Sequence, residues 1–151
     1  LWATPNFLTA RKAGDPAWEL AAKVLAAAQT KRPESLRELF IKDAARPASC
    51  PPDTSAELIR VRNELRATSE EQFRDTCTIK DLTGAKLVSV EGGERDRAYP
   101  DCGADVFIAR PIFASIEAGG TRMGLLMYDP HSFVGTYFVN DGLSVNCYTP
   151  R

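Results

Sequence analysis

The single histidine of the chain, His131, lies in the segment Tyr128-Asp129-Pro130-His131-Ser132. A histidine acts as a general base when a carboxylate orients its ring, and Asp129 lies two positions away. The same run of Asp, Pro and Ser is typical of a polar turn between two strands. We therefore expect an ordinary turn, and we keep His131 with Asp129 as the alternative catalytic pair.

The other residue types offer little for catalysis. Cys102, in Pro100-Asp101-Cys102-Gly103, is the best candidate nucleophile, but the neighbouring Asp101 disfavours its thiolate form. The glycine pairs Gly92-Gly93 and Gly119-Gly120 lack the pattern of a phosphate-binding loop. We therefore expect a non-catalytic protein without a cofactor.

The four cysteines, Cys50, Cys77, Cys102 and Cys147, carry information about the compartment. None forms a C-x-x-C pair, and zinc sites need closely spaced thiolate or imidazole ligands, so no metal site is expected. An even number fits two disulfides, which persist in oxidising compartments. The prediction is a periplasmic or secreted protein; the alternative is four buried free thiols in a cytosolic one.

Composition and charge argue against two classes of function. Apolar residues make up 44% and charged residues 26% of the 151 residues, as in a globular domain. The net charge of −1, from 19 basic and 20 acidic residues, gives no field that attracts nucleic acid. No segment approaches the ~20 apolar residues of a membrane span. Because the chain begins at Leu1, we expect a processed or trimmed product, and removal of a signal peptide is one explanation.

The first half of the chain predicts helices. After a lead-in arm over 1–14, Asp15 is a good N-cap and Pro16 fits the first helical position. A second, shorter helix is predicted from Pro33, and a third from the capping box that begins at Thr54, so the helical part spans 15–75. The first helix has an apolar stripe with helical spacing: Ala17, Leu20, Ala21, Val24, Leu25 and Ala28.

The second half, over 76–149, changes to an alternation with a period of two. Strands are predicted over 78–82, 86–91, 106–116, 123–127, 133–139 and 143–147, with a polar, flexible stretch over 92–101. Pro111 cannot donate to a ladder, so its strand is expected at an edge or bulged. Asp129-Pro130 predicts a turn, and Asn140-Asp141-Gly142 predicts a hairpin. The fold class is therefore α+β, one domain with N-terminal helices packed on a curved, mainly antiparallel meander sheet.

The number of predicted strands favours one pairing of the cysteines. Cys102 precedes the strand near 106, and Cys147 ends the last strand, three strands further on. In a simple up-and-down meander both residues lie at the same end of the sheet. This favours the pairing Cys102–Cys147, which leaves Cys50–Cys77.

The stretches Ala21-Ala22-Lys23-Val24-Leu25-Ala26-Ala27-Ala28-Gln29 and Pro33-Glu34-Ser35-Leu36-Arg37-Glu38-Leu39-Phe40 resemble the opening of nuclear-transport-factor-like (cystatin-like) domains. The order of the predicted elements is similar to that family over most of the chain. The resemblance implies a sheet curled around the helices into a cone with a pocket. Members include enzymes, ligand binders and partner-binding modules. The four cysteines and the long 92–102 loop differ from the usual pattern.

Aromatic residues are concentrated in the sheet part, where a core role is the default and a contact surface is the alternative. Because Tyr and Arg are enriched at interfaces, Arg110, Arg122 and Tyr128 are the predicted contact residues. We expect an exported, non-catalytic protein-binding domain of the cell envelope, such as an inhibitor or immunity protein. The alternatives are a small-molecule binder or a hydrolase- or isomerase-type enzyme with a cone-shaped pocket that uses His131 and Asp129, and a structural module whose sheet edge near Pro111 meets a neighbour.

Overall fold

A computed structural model of the chain describes residues 8–30, 39, 84–98, 102, 103, 105–128, 130–139 and 142–148. The predicted second and third helices, the predicted strand over 78–82, and Cys50 and Cys77 lie outside these residues. The helix that the structure describes is too short to cross a membrane.

The helix α1, Pro16–Thr30, begins where the sequence predicts it. Asp15 precedes it as the N-cap, and its carboxylate accepts a hydrogen bond from the Lys12 N–H at 3.1 Å. In the first turn, Glu19 accepts one from the Gly14 N–H at 3.1 Å. The predicted apolar face is buried at Ala17, Leu20, Ala21, Val24 and Leu25.

The described strands form two antiparallel sheets. In chain order they are β1 Ala10–Arg11, β2 Lys86–Gly92, β3 Arg95–Ala98, β4 Val106–Ala109, β5 Ile112–Ala118, β6 Thr121–Tyr128, β7 His131–Phe133, β8 Thr136–Phe138 and β9 Gly142–Tyr148. The first sheet has the order β1-β2-β5-β6-β9, and the second has the order β3-β4-β7-β8. The described residues are thus an α+β arrangement that is mostly sheet.

The two sheets are two halves of one meander, and we call the place where its strands pass from one sheet to the other the bend. Along the chain, each strand of one sheet continues into a strand of the other: β2 into β3, β4 into β5, β6 into β7 and β8 into β9. The pairings in the two sheets correspond. In the first sheet β2 pairs with β5, β5 with β6, and β6 with β9. In the second sheet the strands that continue them pair in the same order: β3 with β4, β4 with β7, and β7 with β8. Within the described residues the meander therefore has four long strands, each of them divided between the two sheets.

Two glycines and a proline lie at the bend, where β2 passes into β3 and β4 passes into β5. Gly92 and Gly93 have φ angles of 95° and 74°, in the left-handed region that favours glycine. The Gly93 N–H donates to the Pro111 carbonyl at 3.2 Å, and the Arg110 N–H donates to the Glu94 carbonyl at 2.7 Å. Pro111 lies in the break between β4 and β5, where its missing N–H costs the ladder nothing. The predicted single strand over 106–116, at an edge or bulged, is therefore corrected: the chain breaks at Arg110-Pro111 into β4 and β5, and both are interior strands of their sheets.

The main core lies between α1 and the inner face of the first sheet. Inner side chains alternate along each strand with outer ones, as the period of two predicts. The buried members from β5 and β6 are Ile112, Ala114, Ile116, Met123, Leu125 and Met127. A smaller cluster in the second sheet contains Cys102, Val106 and Phe133.

Three further predictions in the sheet part are corrected by the structure. The hairpin between β7 and β8 lies at Val134-Gly135, where both residues have positive φ angles, 50° and 86°. The predicted hairpin at Asn140-Asp141-Gly142 is wrong, because β8 pairs with β7 whereas β9 pairs with β6. The chain also continues past Pro130 from β6 into β7 without folding back on itself. Within the predicted flexible stretch, Arg95–Ala98 form the edge strand β3.

The pairing of Cys102 with Cys147 stays a prediction, because the side chain of Cys147 lies outside those that the structure describes. Cys102 lies before β4, at the end of the second sheet far from the bend, in the cluster with Val106. Cys147 lies opposite Met123 in the first sheet, on the other side of the bend. Cys102 takes part in a disulfide bond, and the cysteine that completes it lies outside the side chains that the structure describes.

Candidate functional site

An open cavity of about 540 Å³ lies on the inner face of the second sheet, beside the first residues of α1. Ligand sites in proteins typically measure roughly 300–1,000 Å³, so this cavity is large enough for a small molecule. Its described lining consists of Arg11, Pro16, Arg95, Asp105, Phe107, Ser132, Val134, Gly135 and Tyr137.

Three residues that are neighbours across the strands form the floor of the cavity. Ser132 of β7 lies opposite Phe107 of β4 and opposite Tyr137 of β8. The two aromatic rings meet edge to face, with their centroids 6.0 Å apart and their planes at 85°. Ser132 is 2% exposed. The floor is therefore a buried hydroxyl between two aromatic side chains.

Two arginines bring positive charge to the cavity. The guanidinium carbon of Arg95, on β3, lies 5.4 Å from the centre of the Phe107 ring, which is a cation–π contact. Arg11, on β1, is fixed through its Nε, which donates to the Gly92 carbonyl at 2.9 Å. The Phe107 ring and the Gly92 carbonyl thus hold the guanidinium groups of Arg95 and Arg11 in the lining of the cavity.

Glu94 lies at the bend, close to Arg11. Its Oε2 accepts a hydrogen bond from the Thr9 N–H at 2.5 Å. Burial alone would raise the pKa of the Glu94 carboxyl, but the hydrogen bonds from Thr9 and the positive charge of Arg11 outweigh it and lower the pKa below its ordinary value. The ionised carboxylate therefore helps to hold the N-terminal strand against the bend.

We expect Glu94→Gln to lower stability at neutral pH and to reduce the loss of stability on acidification. Because the folded pKa of Glu94 is depressed, its carboxylate stabilises the fold above the ordinary pKa, and this contribution is lost as the pH falls through the folded value. Thermal melts should place the variant roughly 2–4 °C below the wild type at pH 7, and the difference should shrink towards about pH 3. Glu91→Gln, at an exposed position on β2, is the matched control. A constant difference between Glu94→Gln and the wild type across this range would contradict the assignment.

Tyr137 connects the floor of the cavity to the bend. Its hydroxyl donates to the Gly93 carbonyl at 2.8 Å. Burial raises the pKa of the Tyr137 phenol; the charge of Arg11 opposes this shift, whereas the carboxylates of Glu94 and Asp15 add to it. The phenol therefore stays protonated at neutral pH and remains a hydrogen-bond donor.

His131 does not line the cavity. It is next to Ser132 in β7, and successive side chains of a strand point to opposite faces of the sheet. It is 5% exposed, and its ring centroid lies 6.2 Å from that of Phe133. Asp129 lies outside the described residues. The structure therefore does not place His131 in the lining of this cavity.

The predicted contact residues lie away from this cavity. Tyr128 and Arg122 are on β6, where they alternate with buried methionines, so both are on the outer face of the first sheet. Tyr128 is 44% exposed. Arg122 is half-buried, and its guanidinium lies 3.7 Å from the Glu117 carboxylate. Arg110 is exposed at the bend.

Phe113 joins these residues on the outer face. It is 39% exposed and lies opposite Leu126 of β6. Tyr128 is the next outward residue on that strand, so Phe113 and Tyr128 are diagonal neighbours, which are typically about 7–8 Å apart. We call Phe113, Leu126, Tyr128 and Arg122 the outer patch.

The cavity residues were not singled out by the sequence. Arg11 reaches the cavity because Ala10 and Arg11 pair with Glu91 and Val90, a contact between distant parts of the chain. The only local signal was the alternation along β4, which places Phe107 on one face of its strand. Within the described part of the chain, no group of side chains could hold a metal ion.

Comparisons of the chain with protein-family models, with curated proteins and with solved structures found no match. The resemblance to nuclear-transport-factor-like domains therefore stays a prediction. Function is inferred from the outer patch and the cavity.

Proposed function

We propose that this chain is a non-catalytic protein-binding domain and that the outer patch contacts the partner. The observation that supports this most is the exposure of Phe113 and Tyr128, 39% and 44%, at diagonal positions on one sheet face. Aromatic residues and arginine are enriched at protein interfaces and among the residues that dominate binding energy. Two exposed aromatic side chains on one sheet face fit such an interface, and Arg122 lies on the same face, six residues from Tyr128 along β6.

The strands beneath the outer patch suit a rigid contact surface. β5 and β6 pair along their whole length, from Ile112 opposite Met127 to Ala118 opposite Thr121. Their inner side chains belong to the main core, so the outer side chains start from fixed backbone positions. A preformed surface loses little conformational entropy on binding. Among binding proteins, an inhibitor or immunity protein that blocks a partner is the kind of function we favour.

We also propose that the protein acts in the periplasm or outside the cell. The disulfide bond of Cys102 supports this, because such bonds persist in oxidising compartments. Alkylation of the native protein without reductant, followed by mass measurement, should label no thiol. Labelling of all four cysteines would contradict both the disulfides and the compartment.

The enzyme alternative has less support. It needs His131 in a pocket, and the described lining of the cavity contains Ser132 but not its neighbour His131.

Site-specific photo-crosslinking tests the outer patch. A photoreactive phenylalanine analogue is placed at Phe113, at Tyr128 or, as the control, at Val134. Val134 is apolar and 64% exposed, but it lines the cavity. In an extract of the native compartment, one partner should be crosslinked from positions 113 and 128 and not from 134. An equal yield at all three positions, no adduct, or an adduct of two copies of this chain would overturn the proposal.

Once the partner is known, Tyr128→Ser should weaken its binding by about tenfold or more, because truncation of a central aromatic residue typically costs more than 1 kcal/mol. Val134→Ser removes a similarly exposed apolar side chain elsewhere and should leave the affinity unchanged. Calorimetric titration of the purified proteins measures both. Equal losses in the two variants would show that the outer patch is not the interface.

A further inference from the structure

We propose that the cavity on the inner face of the second sheet binds a small aromatic carboxylate. This site is separate from the outer patch, which lies on the outer face of the first sheet. The two proposals therefore rest on different residues and can fail independently.

The anionic part of the ligand follows from the arginines. Arg11 is held through Nε to the Gly92 carbonyl, and it makes no ion pair with any described residue. Arg95 lines the same cavity above the Phe107 ring. Guanidinium groups are suited to the planar, two-oxygen geometry of a carboxylate.

Ser132 supplies a polar group of the kind that a ligand site needs. The residue is 2% exposed and belongs to the lining of the cavity. A serine hydroxyl can both donate and accept a hydrogen bond. A carboxylate oxygen in the cavity would accept a hydrogen bond from this hydroxyl.

The apolar part of the ligand follows from the other walls. The rings of Phe107 and Tyr137 border the floor, and Val134 at the β7–β8 hairpin adds an exposed apolar side chain. Aromatic rings favour stacked or edge-to-face contact with another ring. The volume of about 540 Å³ is large enough for a single-ring or two-ring compound.

Asp105 limits the charge of the ligand. Its carboxylate lies in the same lining as the two guanidinium groups. The described lining has two arginines and one aspartate, and the carboxylates of Glu94 and Asp15 also act on Tyr137 in this cavity. A second negative charge on the ligand would be repelled, so the cavity favours a monocarboxylate over a doubly charged phosphate.

The test titrates the intact chain with probes that differ in one feature each, observed through amide chemical shifts. Phenylacetate carries both the ring and the charge, 2-phenylethanol only the ring, acetate only the charge, and 2-phenylethylamine the opposite charge. Phenylacetate should bind at least about tenfold more tightly than each of the others. The shifts should map to β4, β7 and β8.

Variants then assign the binding to the arginines. Arg11→Met and Arg95→Met should each weaken phenylacetate binding by about tenfold and leave 2-phenylethanol unchanged. Arg97→Met is the matched control, because Arg97 lies on the same edge strand but outside the cavity lining. Because Arg11 also bonds to Gly92, Arg95→Met keeps the test valid if the first variant unfolds.

Three results would overturn the proposal. The first is absence of phenylacetate binding up to ~10 mM, well above typical ligand affinities. The second is equal affinity for phenylacetate and 2-phenylethanol. The third is an equal loss in Arg95→Met and Arg97→Met. None of these results bears on crosslinking at the outer patch.

Discussion

The variant Gly92→Ala is expected to lose roughly 3–5 kcal/mol of its free energy of unfolding. A Cβ added to Gly92 would lie 2.1 Å from the Pro111 carbonyl oxygen, which is backbone and cannot move aside without opening the bend. The φ angle of 95° adds strain for any residue with a side chain. Chemical denaturation followed by circular dichroism measures the loss.

Gly14→Ala separates the two causes. Gly14 has almost the same φ angle, 99°, but an added Cβ would meet nothing within 4 Å. This control should therefore show only the cost of the backbone conformation, about 1–2 kcal/mol. Similar losses in the two variants would mean that Pro111 and Gly92 do not approach each other as the structure shows.

Leu20→Ala is expected to cost roughly 2–5 kcal/mol, the usual range for a fully buried leucine. Leu20 is 2% exposed in the main core, where the inner face of the first sheet packs against α1. Alanine removes apolar contacts and leaves a cavity that the paired strands cannot easily fill. Urea denaturation of the purified variant provides the measurement.

Lys23→Ala, on the exposed side of the same helix, should change the stability by less than about 0.5 kcal/mol. It introduces the same residue type in the same helix, so differences in helix propensity largely cancel. If Leu20→Ala were as mild as this control, the helix would not be packed on the sheet through this face.

The helix could be predicted because all of its signals are local. Asp15 and Pro16 mark its start, and the spacing from Ala17 to Leu25 identifies the face to be buried. These features require no knowledge of what packs against the helix. The structure confirms the start and the buried face.

The bend could not be predicted because it depends on pairing between strands. Alternation correctly indicated β2, β5 and β6, but a break within a long strand gives the same signal as a turn between two strands. Asp129-Pro130 and Asn140-Asp141-Gly142 carry strong turn signals. The true hairpin uses Val134, a β-branched residue that rarely adopts a positive φ angle, so Gly135 was the only turn signal at that place.

The two candidate sites also differ in how far the sequence could predict them. Tyr128 and Arg122 alternate with Met123 and Met127, so their place on the outer face could be read from the sequence. The cavity could not be predicted from the sequence, because Arg11 reaches it only through the pairing of β1 with β2. Contacts of that range leave no periodic pattern.

The pairing of β1 with β2 has a consequence for synthesis on the ribosome. Arg11 and its hydrogen-bond partner Gly92 are 81 positions apart, and the described strands against which α1 packs all follow residue 85. At roughly 5–20 residues per second, translation makes these strands several seconds after the helix. For that interval the apolar stripe of α1 has no sheet to cover it, which makes the nascent N-terminal segment a natural substrate for chaperones that bind exposed apolar chain.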